Sequence, residues 1–263
     1  MRDPPLRDAL VFGGSGQIGR VVLARLPADR WRVTAVSRRE PVDGNDGGIR
    51  WLRGELDAPP RLPERVDAVF SCGPLDAFAR WYAGARLQAA RVVAFGSTSV
   101  DTKQDSTDPA ERDLARRLAQ AEQGIFALAT ARGAAATVLR PTLVYGVGRD
   151  ASLTRIATLA RRWGRFPLPR GANGLRQPVY VDDLAAAALG CLDSPVTHGR
   201  AYALPGGETL AYRDMVARVL AVPMGQSLGQ TVVVENTVGA GGTIAPARVA
   251  KARNDGYTIL IHH

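Results

Sequence analysis

Short apolar runs alternate with helix-like patterns over the first 150 residues of the chain. The apolar runs are typical of buried strands, and several stretches between them carry apolar residues three and four positions apart, which is typical of helices. Helices between successive strands give right-handed crossovers and a parallel sheet. The predicted strands span residues 10–12, 32–36, 49–52, 67–71, 91–96 and 137–139, and the predicted helices span residues 18–26, 75–90 and 109–132. The pattern therefore predicts an α/β protein with a doubly wound parallel sheet.

The pattern is less regular after residue 146. A loop rich in proline and glycine spans residues 167–173, and the segments around it predict short elements. Asp182 or Asp183 is the predicted N-cap of a helix that runs to about residue 191. Further helices are predicted at residues 152–162 and 212–221, and further strands at residues 178–181 and 201–204. This part predicts a small C-terminal lobe, with a return of the chain to the sheet near residues 178–192.

Composition excludes several classes of protein. With 46% apolar and 22% charged residues the chain has an ordinary globular composition, and it contains no apolar run long enough to predict a membrane-spanning helix. The first residues do not resemble a signal peptide, and two cysteines, Cys72 and Cys191, suit a reducing compartment. We therefore expect a cytoplasmic protein. Three histidines and the absence of a Cys-x-x-Cys pair argue against a metal site.

The net charge of +9 comes almost entirely from arginine, because Lys103 and Lys251 are the only lysines. The arginines are scattered, and no basic run is interleaved with aromatic residues, which argues against nucleic acid as a partner. We expect a small-molecule substrate and no membrane partner, and a homodimer remains open.

A glycine-rich turn carries the strongest chemical signal. Residues 13–19 read Gly-Gly-Ser-Gly-Gln-Ile-Gly, directly after a predicted strand and directly before a predicted helix. Gly13 permits the tight turn, Gly16 lets the backbone approach a pyrophosphate, and Gly19 allows the helix to pack closely on the strand. The helix N-terminus offers free N–H groups to the anion. The motif predicts a dinucleotide site on a Rossmann-like sheet, although a glycine turn without a ligand is the alternative. Its predicted contacts are Gly13, Ser15, Gly16, Gln17, Ile18 and Gly19.

The end of the second predicted strand bears on the choice between NAD and NADP. An NAD site places Asp or Glu there to accept from the 2′-hydroxyl group of the ribose, whereas this chain has Ser37, Arg38 and Arg39. An arginine pairs well with a 2′-phosphate. Glu40 follows, so a solvated Arg-Arg-Glu loop is the alternative. The sequence favours NADP over NAD, with Ser37 and Arg38 as contacts.

Three more segments follow predicted strands, at the edge where α/β sheets bind ligands. Glu55 and Leu56 follow the third strand, and Glu55 could accept a hydrogen bond from the adenine amino group. Small residues follow the fourth strand and could let the backbone pass a cofactor; they are Ser71, Cys72 and Gly73. Cys72 is more simply a small buried residue than a nucleophile. The fifth strand is followed by three hydroxyl side chains at the expected place of the nicotinamide, those of Ser97, Thr98 and Ser99.

These motifs, with residues 139–146 (Leu-Arg-Pro-Thr-Leu-Val-Tyr-Gly) and 179–184 (Val-Tyr-Val-Asp-Asp-Leu), resemble a known family. Over about residues 9–221 the chain is similar to the extended and atypical short-chain dehydrogenases/reductases, the NAD-dependent epimerase/dehydratase group. The resemblance implies a dinucleotide-binding core at residues 1–146 and a substrate lobe in residues 147–222. It implies that Ser97 is the catalytic Ser/Thr and that Arg176 lies near the substrate. It also implies backbone contacts to nicotinamide from Pro141, Thr142 and Leu143.

The chain departs from that family at its proton-transfer pair. The family's acid is a tyrosine followed four residues later by a lysine, and no tyrosine here has a lysine at that spacing. Asp113 and Arg117 stand roughly at the corresponding place, and Tyr145 has an arginine, Arg149, four residues later. Arginine cannot relay a proton, although its charge could lower the pKa of a tyrosine. Asp113 and Arg117 could equally form a plain ion pair on a solvated helix face.

The last part of the chain resembles a different family. Residues 229–236, 239–244 and 255–260 are similar to segments of the solute-binding receptors of tripartite tricarboxylate transporters, over about residues 224–263. A fragment of this size cannot build such a receptor's cleft. We therefore interpret residues 223–263 as a fused tail, although a native tail with a chance likeness is the alternative.

The leading hypothesis is an NAD(P)(H)-binding oxidoreductase, or a protein like the sugar-nucleotide epimerases, that acts on an unidentified small substrate. The alternative is a non-catalytic NADP(H)-binding sensor or assembly subunit, because the Tyr/Lys pair is missing.

Overall fold

Seven parallel strands form the central sheet of this protein, described from a computed structural model. The structure describes residues 5–39, 48–146, 174–212, 214–215 and 250–251. The strands are β1 Arg7–Phe12, β2 Trp31–Ser37, β3 Arg50–Arg53, β4 Arg65–Ser71, β5 Gln88–Phe95, β6 Ala135–Pro141, β7 Val144–Tyr145, β8 Leu175–Arg176, β9 Val179–Tyr180, β10 Arg200–Leu204 and β11 Leu210–Ala211. The helices are α1 Gln17–Ala24, α2 Leu75–Gly84, α3 Ser99–Thr102, α4 Pro109–Ala131 and α5 Val181–Gly190, and a 3₁₀ turn spans Pro195–Thr197.

The order of the strands confirms the predicted doubly wound topology. The sheet runs β10-β6-β5-β4-β1-β2-β3, so the chain winds outward from β1 to β3 and then returns to β4 on the other side of β1. The pairings within this sheet are parallel. Between β1 and β4 the loops that leave the carboxyl ends diverge to opposite faces, which opens the crevice where such sheets bind ligands.

Both faces are buried at the centre of the sheet, which explains the continuous apolar runs 9–12 of β1, 68–70 of β4 and 92–95 of β5. Alternate residues of β1 point to opposite sides, with Val11 in one core cluster and Leu10 in the other. Val22 of α1 and Leu184 of α5 belong to the first cluster. Residues of α2 and α4, among them Phe78, belong to the second. The sheet is therefore fixed from both sides, and its carboxyl edge is a rigid base for the loops that leave it.

Two predicted elements need correction. The predicted helix over residues 75–90 ends at Gly84, because Ala85 is already extended and Gln88 pairs with Arg65 of β4 at the start of β5. The apolar residues that seemed to continue the helical pattern belong to a strand, and periodicity over so few residues does not separate the two.

At the second corrected element, Tyr180 is the N-cap of α5, in place of Asp182 or Asp183. The two aspartates lie in the first turn of α5, where carboxylates favour the helix dipole, and Asp182 pairs with Arg25. The predicted strand before it shortens to Val179–Tyr180.

The chain separates into two units, Met1–Val144 with Pro178–Gly207, and Tyr145–Gln177 with Glu208–His263. In the second unit, β8 and β11 form a short antiparallel pair in which Arg176 lies opposite Leu210. The predicted helix at residues 152–162, the loop at 167–173, nearly all of the predicted helix at 212–221 and almost all of the tail at 223–263 lie outside the described residues. The division into core, lobe and tail stays a prediction.

A candidate dinucleotide-binding site at the carboxyl edge of the sheet

The glycine turn between β1 and α1 closes so tightly that Gly19 has no room for a side chain, and Gly13 combines a close approach with a positive φ. Gly13 has φ +73°, and a Cβ on it would lie 3.0 Å from the carbonyl oxygen of Cys72. A Cβ on Gly19 would lie 2.2 Å from the carbonyl oxygen of Gly13. The amide of Gly16 donates to that same carbonyl at 2.8 Å. The sequence therefore places α1 directly against the turn, as the predicted roles of Gly13 and Gly19 require.

The N-terminus of α1 fits an anion. Gly16 is the N-cap, so no side chain caps the first N–H groups of this helix. Among the described residues, the buried side-chain amide nitrogen of Gln17 and the buried hydroxyl of Ser71 have no hydrogen-bond partner. Uncapped N–H groups at a helix start, together with orphaned polar atoms at the same edge, suit a pyrophosphate. Ser15, Ile18 and Gly19 belong to the same turn and first helical turn.

Two serine hydroxyls meet at the end of β2. The Oγ atoms of Ser15 and Ser37 are 2.5 Å apart, and Ser37 also accepts from the amide of Arg39 at 3.2 Å. Arg38 is exposed beside this buried serine, and Arg53 of β3 lies opposite Ser37 in the sheet register. The carboxyl ends of β2 and β3 therefore combine hydroxyl groups with positively charged arginine side chains. Glu40 lies outside the described residues.

The loops after β1, β3 and β4 converge. The amide of Cys72 donates to the carbonyl of Phe12 at 3.0 Å, and a Cβ on Gly73 would lie 3.4 Å from a methyl group of Leu56. Glu55 is exposed in a tight turn that joins it to Ala58. The structure thus brings together Gly13, Cys72, Gly73 and Leu56, which the sequence singled out separately.

One residue of this corner was missed by the sequence analysis. A Cβ on Gly14 would lie 3.0 Å from the indole ring of Trp51 in β3, and the indole N–H of Trp51 is buried without a hydrogen-bond partner among the described residues. In the sequence, Trp51 could have been identified from its position in the third predicted strand, three residues before Gly54. The indole ring of Trp51 packs against the glycine turn at Gly14, so its fluorescence can report changes in the conformation of the turn.

Burial raises the pKa of the Cys72 thiol from 9.0 to about 12, so very little of it is thiolate at neutral pH. Only the thiolate is nucleophilic, so this shift lowers the reactive fraction at pH 8 about a thousandfold. We therefore expect thiol reagents to label Cys72 far more slowly in the native protein than in urea. The folded state holds the proton more tightly than the unfolded chain, so ionisation of this thiol also lowers stability as pH rises above 9.0.

Labelling kinetics of a Cys191→Ala variant at pH 8 isolate Cys72 for this test. Equal rates in the native and unfolded variant would show that the native thiol ionises as readily as that of the unfolded chain and would reopen a role as a nucleophile.

Ser97 lies in the serine turn, residues 96–101, which is hydrogen-bonded to the neighbouring strand β6. Its hydroxyl donates to that of Ser99 at 3.1 Å and accepts from the amide of Ser99 at 3.2 Å. The amide of Thr98 donates to the carbonyl of Pro141 at 3.2 Å. The predicted nicotinamide segment, with Pro141, Thr142 and Leu143, therefore lies beside the serine turn. The carbonyl of Leu143 in turn accepts from the amide of Val179 in the returning chain at 2.8 Å.

Asp113 and Arg117 form ion pairs on the outside of α4. Arg117 Nε donates to Asp113 at 3.0 Å, and Arg117 Nη1 donates to Asp76 of α2 at 2.8 Å. The guanidinium of Arg117, and next that of Arg116, hold the pKa of Asp113 below its usual range. The lowered pKa favours the carboxylate form of Asp113 at neutral pH. Its small contribution to stability is present at neutral pH and is lost as pH falls through the lowered pKa.

Tyr145 and Arg176 belong to the second unit. There, the Arg176 guanidinium carbon lies 5.9 Å from the ring centroid of Tyr212, and Arg176 Nη1 donates to the carbonyl of Leu175 at 2.8 Å. Their catalytic and substrate roles stay predictions, as do those of Ser97, Asp113 and Arg117.

The residues that the structure describes contain neither a cluster of metal-ligating side chains nor a membrane-spanning helix. No group of three or more His, Cys, Asp or Glu side chains there could hold a metal ion. None of the helices in that part of the chain is long and apolar enough to span a membrane.

Comparison with known proteins agrees with this fold over most of the chain. The solved structure of MoeE5 in complex with UDP-glucose and NAD has a TM-score of 0.65 and 19% sequence identity, over 85% of this chain and 83% of that one. The 2-alkyl-3-oxoalkanoate reductase of Stenotrophomonas maltophilia is 26% identical over 248 residues, which cover 81% of this chain and 74% of the reductase.

The C-terminal part of the chain is similar to a different family of proteins. Residues 216–263 match the tripartite tricarboxylate transporter family receptor. Protein BugT of Bordetella pertussis is 53% identical over 57 residues, which are 22% of this chain and 16% of BugT. The chain thus spans only about a sixth of that relative. Both resemblances expected from the sequence are present: the chain has the Rossmann-like fold of the NAD-dependent epimerases and short-chain dehydrogenases/reductases over most of its length, and a receptor-like segment at its C-terminal end.

Proposed function

We propose that this protein binds NAD(P)(H) at the carboxyl edge of its sheet and acts as an oxidoreductase, or in the manner of a sugar-nucleotide epimerase, on a small substrate. The observation that carries the proposal is the glycine turn, which closes only with glycine at positions 13 and 19 and opens an uncapped helix. The orphaned groups of Gln17 and Ser71 at the same edge support it. The NAD in a structural neighbour and the reductase activity of a relative support the same class.

Different residues at this edge would bind different parts of an extended cofactor. The first amides of α1, with Gln17 and Ser71, would hold the pyrophosphate, and Ser37 with Arg38 would hold the ribose of the adenosine half. The backbone of Pro141–Leu143 would line the nicotinamide, whose chemistry is hydride transfer. Ser97 would orient a substrate oxygen, because its hydroxyl can turn from Ser99 to that oxygen while it still accepts from the amide of Ser99.

A non-catalytic sensor or assembly subunit is the second candidate. It is favoured by α4, where the sequence has no tyrosine and where Asp113 and Arg117 are held in ion pairs with one another and with Asp76. Leu118 is buried and Leu114 packs against the same apolar cluster, so the inner face of this turn of α4 also carries no acid.

Calorimetry with NADPH and NADH tests the proposal. Failure of both to bind at millimolar concentration would overturn it. If a cofactor binds, turnover of a panel of carbonyl substrates that is lost in Ser97→Ala supports the enzyme. Cofactor binding without turnover of any member, together with a co-purifying protein, supports the sensor or subunit.

We further propose that the cofactor is NADP(H) in preference to NAD(H). Arg38→Ala should weaken NADPH binding by about 1–3 kcal/mol, the worth of a charge-assisted hydrogen bond, and leave NADH nearly unchanged. Arg50→Ala is the matched control, because Arg50 is also exposed but begins β3, opposite Thr34 and away from Ser37. Titrations of both variants with both cofactors make the comparison. Equal losses for NADPH and NADH in Arg38→Ala would contradict the preference.

The remaining expectations are proposals of the same kind. We propose a cytoplasmic protein without membrane or nucleic-acid partners, since the arginines are dispersed and many of those in the described residues pair with carboxylates. A homodimer is compatible with this. We also propose that residues 223–263 are a fused segment, because the receptor-type relatives match it over only 14–16% of their own lengths.

A further inference from the structure

Arg140, the residue before Pro141 at the end of β6, lies between two carboxylates from two helices. Its Nε and Nη2 donate to Glu122 of α4 at 2.9 and 2.5 Å, and its Nη1 donates to both oxygens of Asp101 of α3 at 2.9 and 3.1 Å. All three guanidinium nitrogens are therefore in use. Only the planar fork of arginine can bridge two carboxylates in this way, since a lysine offers a single nitrogen. The pKa of Arg140, raised first by its hydrogen bonds to Glu122, keeps the group charged.

The same three residues surround the turn that carries Ser97. A Cβ on Gly96 would lie 3.4 Å from Glu122 Oε1, so the carboxylate lies directly under the start of that turn. Asp101 lies at its other end, where the amide of Asp101 donates to the carbonyl of Thr98 at 3.0 Å. Arg140 therefore holds both ends of the serine turn through one side chain.

Arg140 is also joined by the backbone to the predicted nicotinamide segment. Pro141 follows it directly, and its carbonyl accepts from Thr98, while the amide of Gly96 donates to the carbonyl of Leu139 at 2.8 Å. The spacing between Ser97 and residues 141–143 thus depends on two backbone hydrogen bonds and on the Asp101–Arg140–Glu122 bridge. Neither the glycine motif nor the family resemblance pointed to this bridge.

We infer that Arg140 is a positioning residue: through Asp101 and Glu122 it fixes the distance between the serine turn and the segment that receives the nicotinamide. The inference rests on the proposed function, because it assigns the bridge to the nicotinamide half of that site. It requires that weakening the bridge disturbs the nicotinamide end and leaves the adenosine end, at Ser37 and Arg38, intact.

Asp101→Asn is the variant that tests it, because Arg140→Met would leave the buried Glu122 unpaired and could unfold the chain. Asparagine keeps the shape of Asp101 and removes its charge. Asp182→Asn is the matched control, since Asp182 also holds an arginine, Arg25, through both oxygens, and its exposure of 43% is close to the 53% of Asp101. Asp101→Glu, which restores the charge, should rescue the effect in part.

Two measurements are made on the full chain. Hydrogen exchange without cofactor should show the amides of Gly96 and Thr98 exchanging about threefold faster or more in Asp101→Asn, and unchanged in Asp182→Asn. Calorimetry should show NADPH binding weakened about two- to fivefold in Asp101→Asn, while binding of 2′-phospho-ADP-ribose, which lacks the nicotinamide, stays the same.

The outcomes separate the two proposals. Unchanged exchange at Gly96 and Thr98, or equal weakening of NADPH and of the fragment, would overturn the role of Arg140 while leaving the proposed function intact. Wild-type protein that binds neither NADPH, NADH nor the fragment would overturn the proposed function and this inference with it.

Discussion

Gly19→Ala is expected to abolish cofactor binding and to lower the free energy of unfolding by about 1–3 kcal/mol, the usual cost of forcing an extra carbon into a packed site. The new methyl group would lie 2.2 Å from the carbonyl oxygen of Gly13 and 2.8 Å from its carbonyl carbon. Both are backbone atoms, so no side chain can rotate away. Helix α1 must move off the turn, and the amides that would hold the pyrophosphate move with it.

Gly124→Ala is the matched control for that change. Gly124 lies inside α4, and a Cβ there meets no atom within 4 Å. Alanine at such a helical position should raise stability by about 0.5–1 kcal/mol and leave cofactor binding unchanged. Urea unfolding and titration with NADPH, followed by tryptophan fluorescence, measure both variants. A Gly19→Ala protein that binds NADPH normally would contradict the assignment of the turn.

The fold was predictable because its signals are local and agree with one another. Strands β1, β4 and β5 each contain an apolar run, and the crossover rule leaves few ways to join such strands through helices. The prediction failed where two elements meet without a clear break. Residues 85–90 continue an apolar pattern after α2, and only pairing with β4 decides that Gln88 begins a strand.

The backbone part of the site was also predictable, since the glycine motif of residues 13–19 identifies the positions at which a side chain would be strained or would clash. The structure makes Gly13 and Gly19 obligatory by the same close approaches that the motif implies. Contacts between distant side chains were not predictable. Glu122 lies on a helix face that the sequence marks only as amphipathic, and Arg140 is marked only as a member of the 139–146 motif, without a partner. Their pairing depends on how α4 crosses β6, which no local pattern fixes.

The role of Asp113 and Arg117 in proton transfer could not be predicted from the sequence either. The sequence leaves two interpretations of Asp113 and Arg117, because spacing of four residues suits a catalytic pair and an ion pair equally. The structure adds Asp76 of α2 as a third member and keeps Asp113 ionised. These contacts describe the pair without assigning it a reaction, so the missing acid remains the feature that separates an enzyme from a sensor.

Arg140→Met is expected to lower the free energy of unfolding by about 3–5 kcal/mol, the typical cost of leaving one member of a buried pair alone. The Glu122 side chain is only 5% exposed and takes two hydrogen bonds from Arg140. Without the guanidinium its charge is uncompensated in the interior. Arg32→Met is the control, because Arg32 forms a similar two-pronged pair with Asp8 but is 68% exposed, and such surface pairs contribute little to stability.

A second substitution separates the cost of an unpaired charge from a loss of packing. Glu122→Leu together with Arg140→Met removes both charges and should recover most of the stability lost in Arg140→Met, because an apolar pair of similar volume replaces a buried ion pair at little cost. Urea unfolding of both single variants and of the double variant gives the coupling energy between the two residues. A double variant as unstable as Arg140→Met, or a cost no larger than that of Arg32→Met, would show that burial of Glu122 does not depend on Arg140.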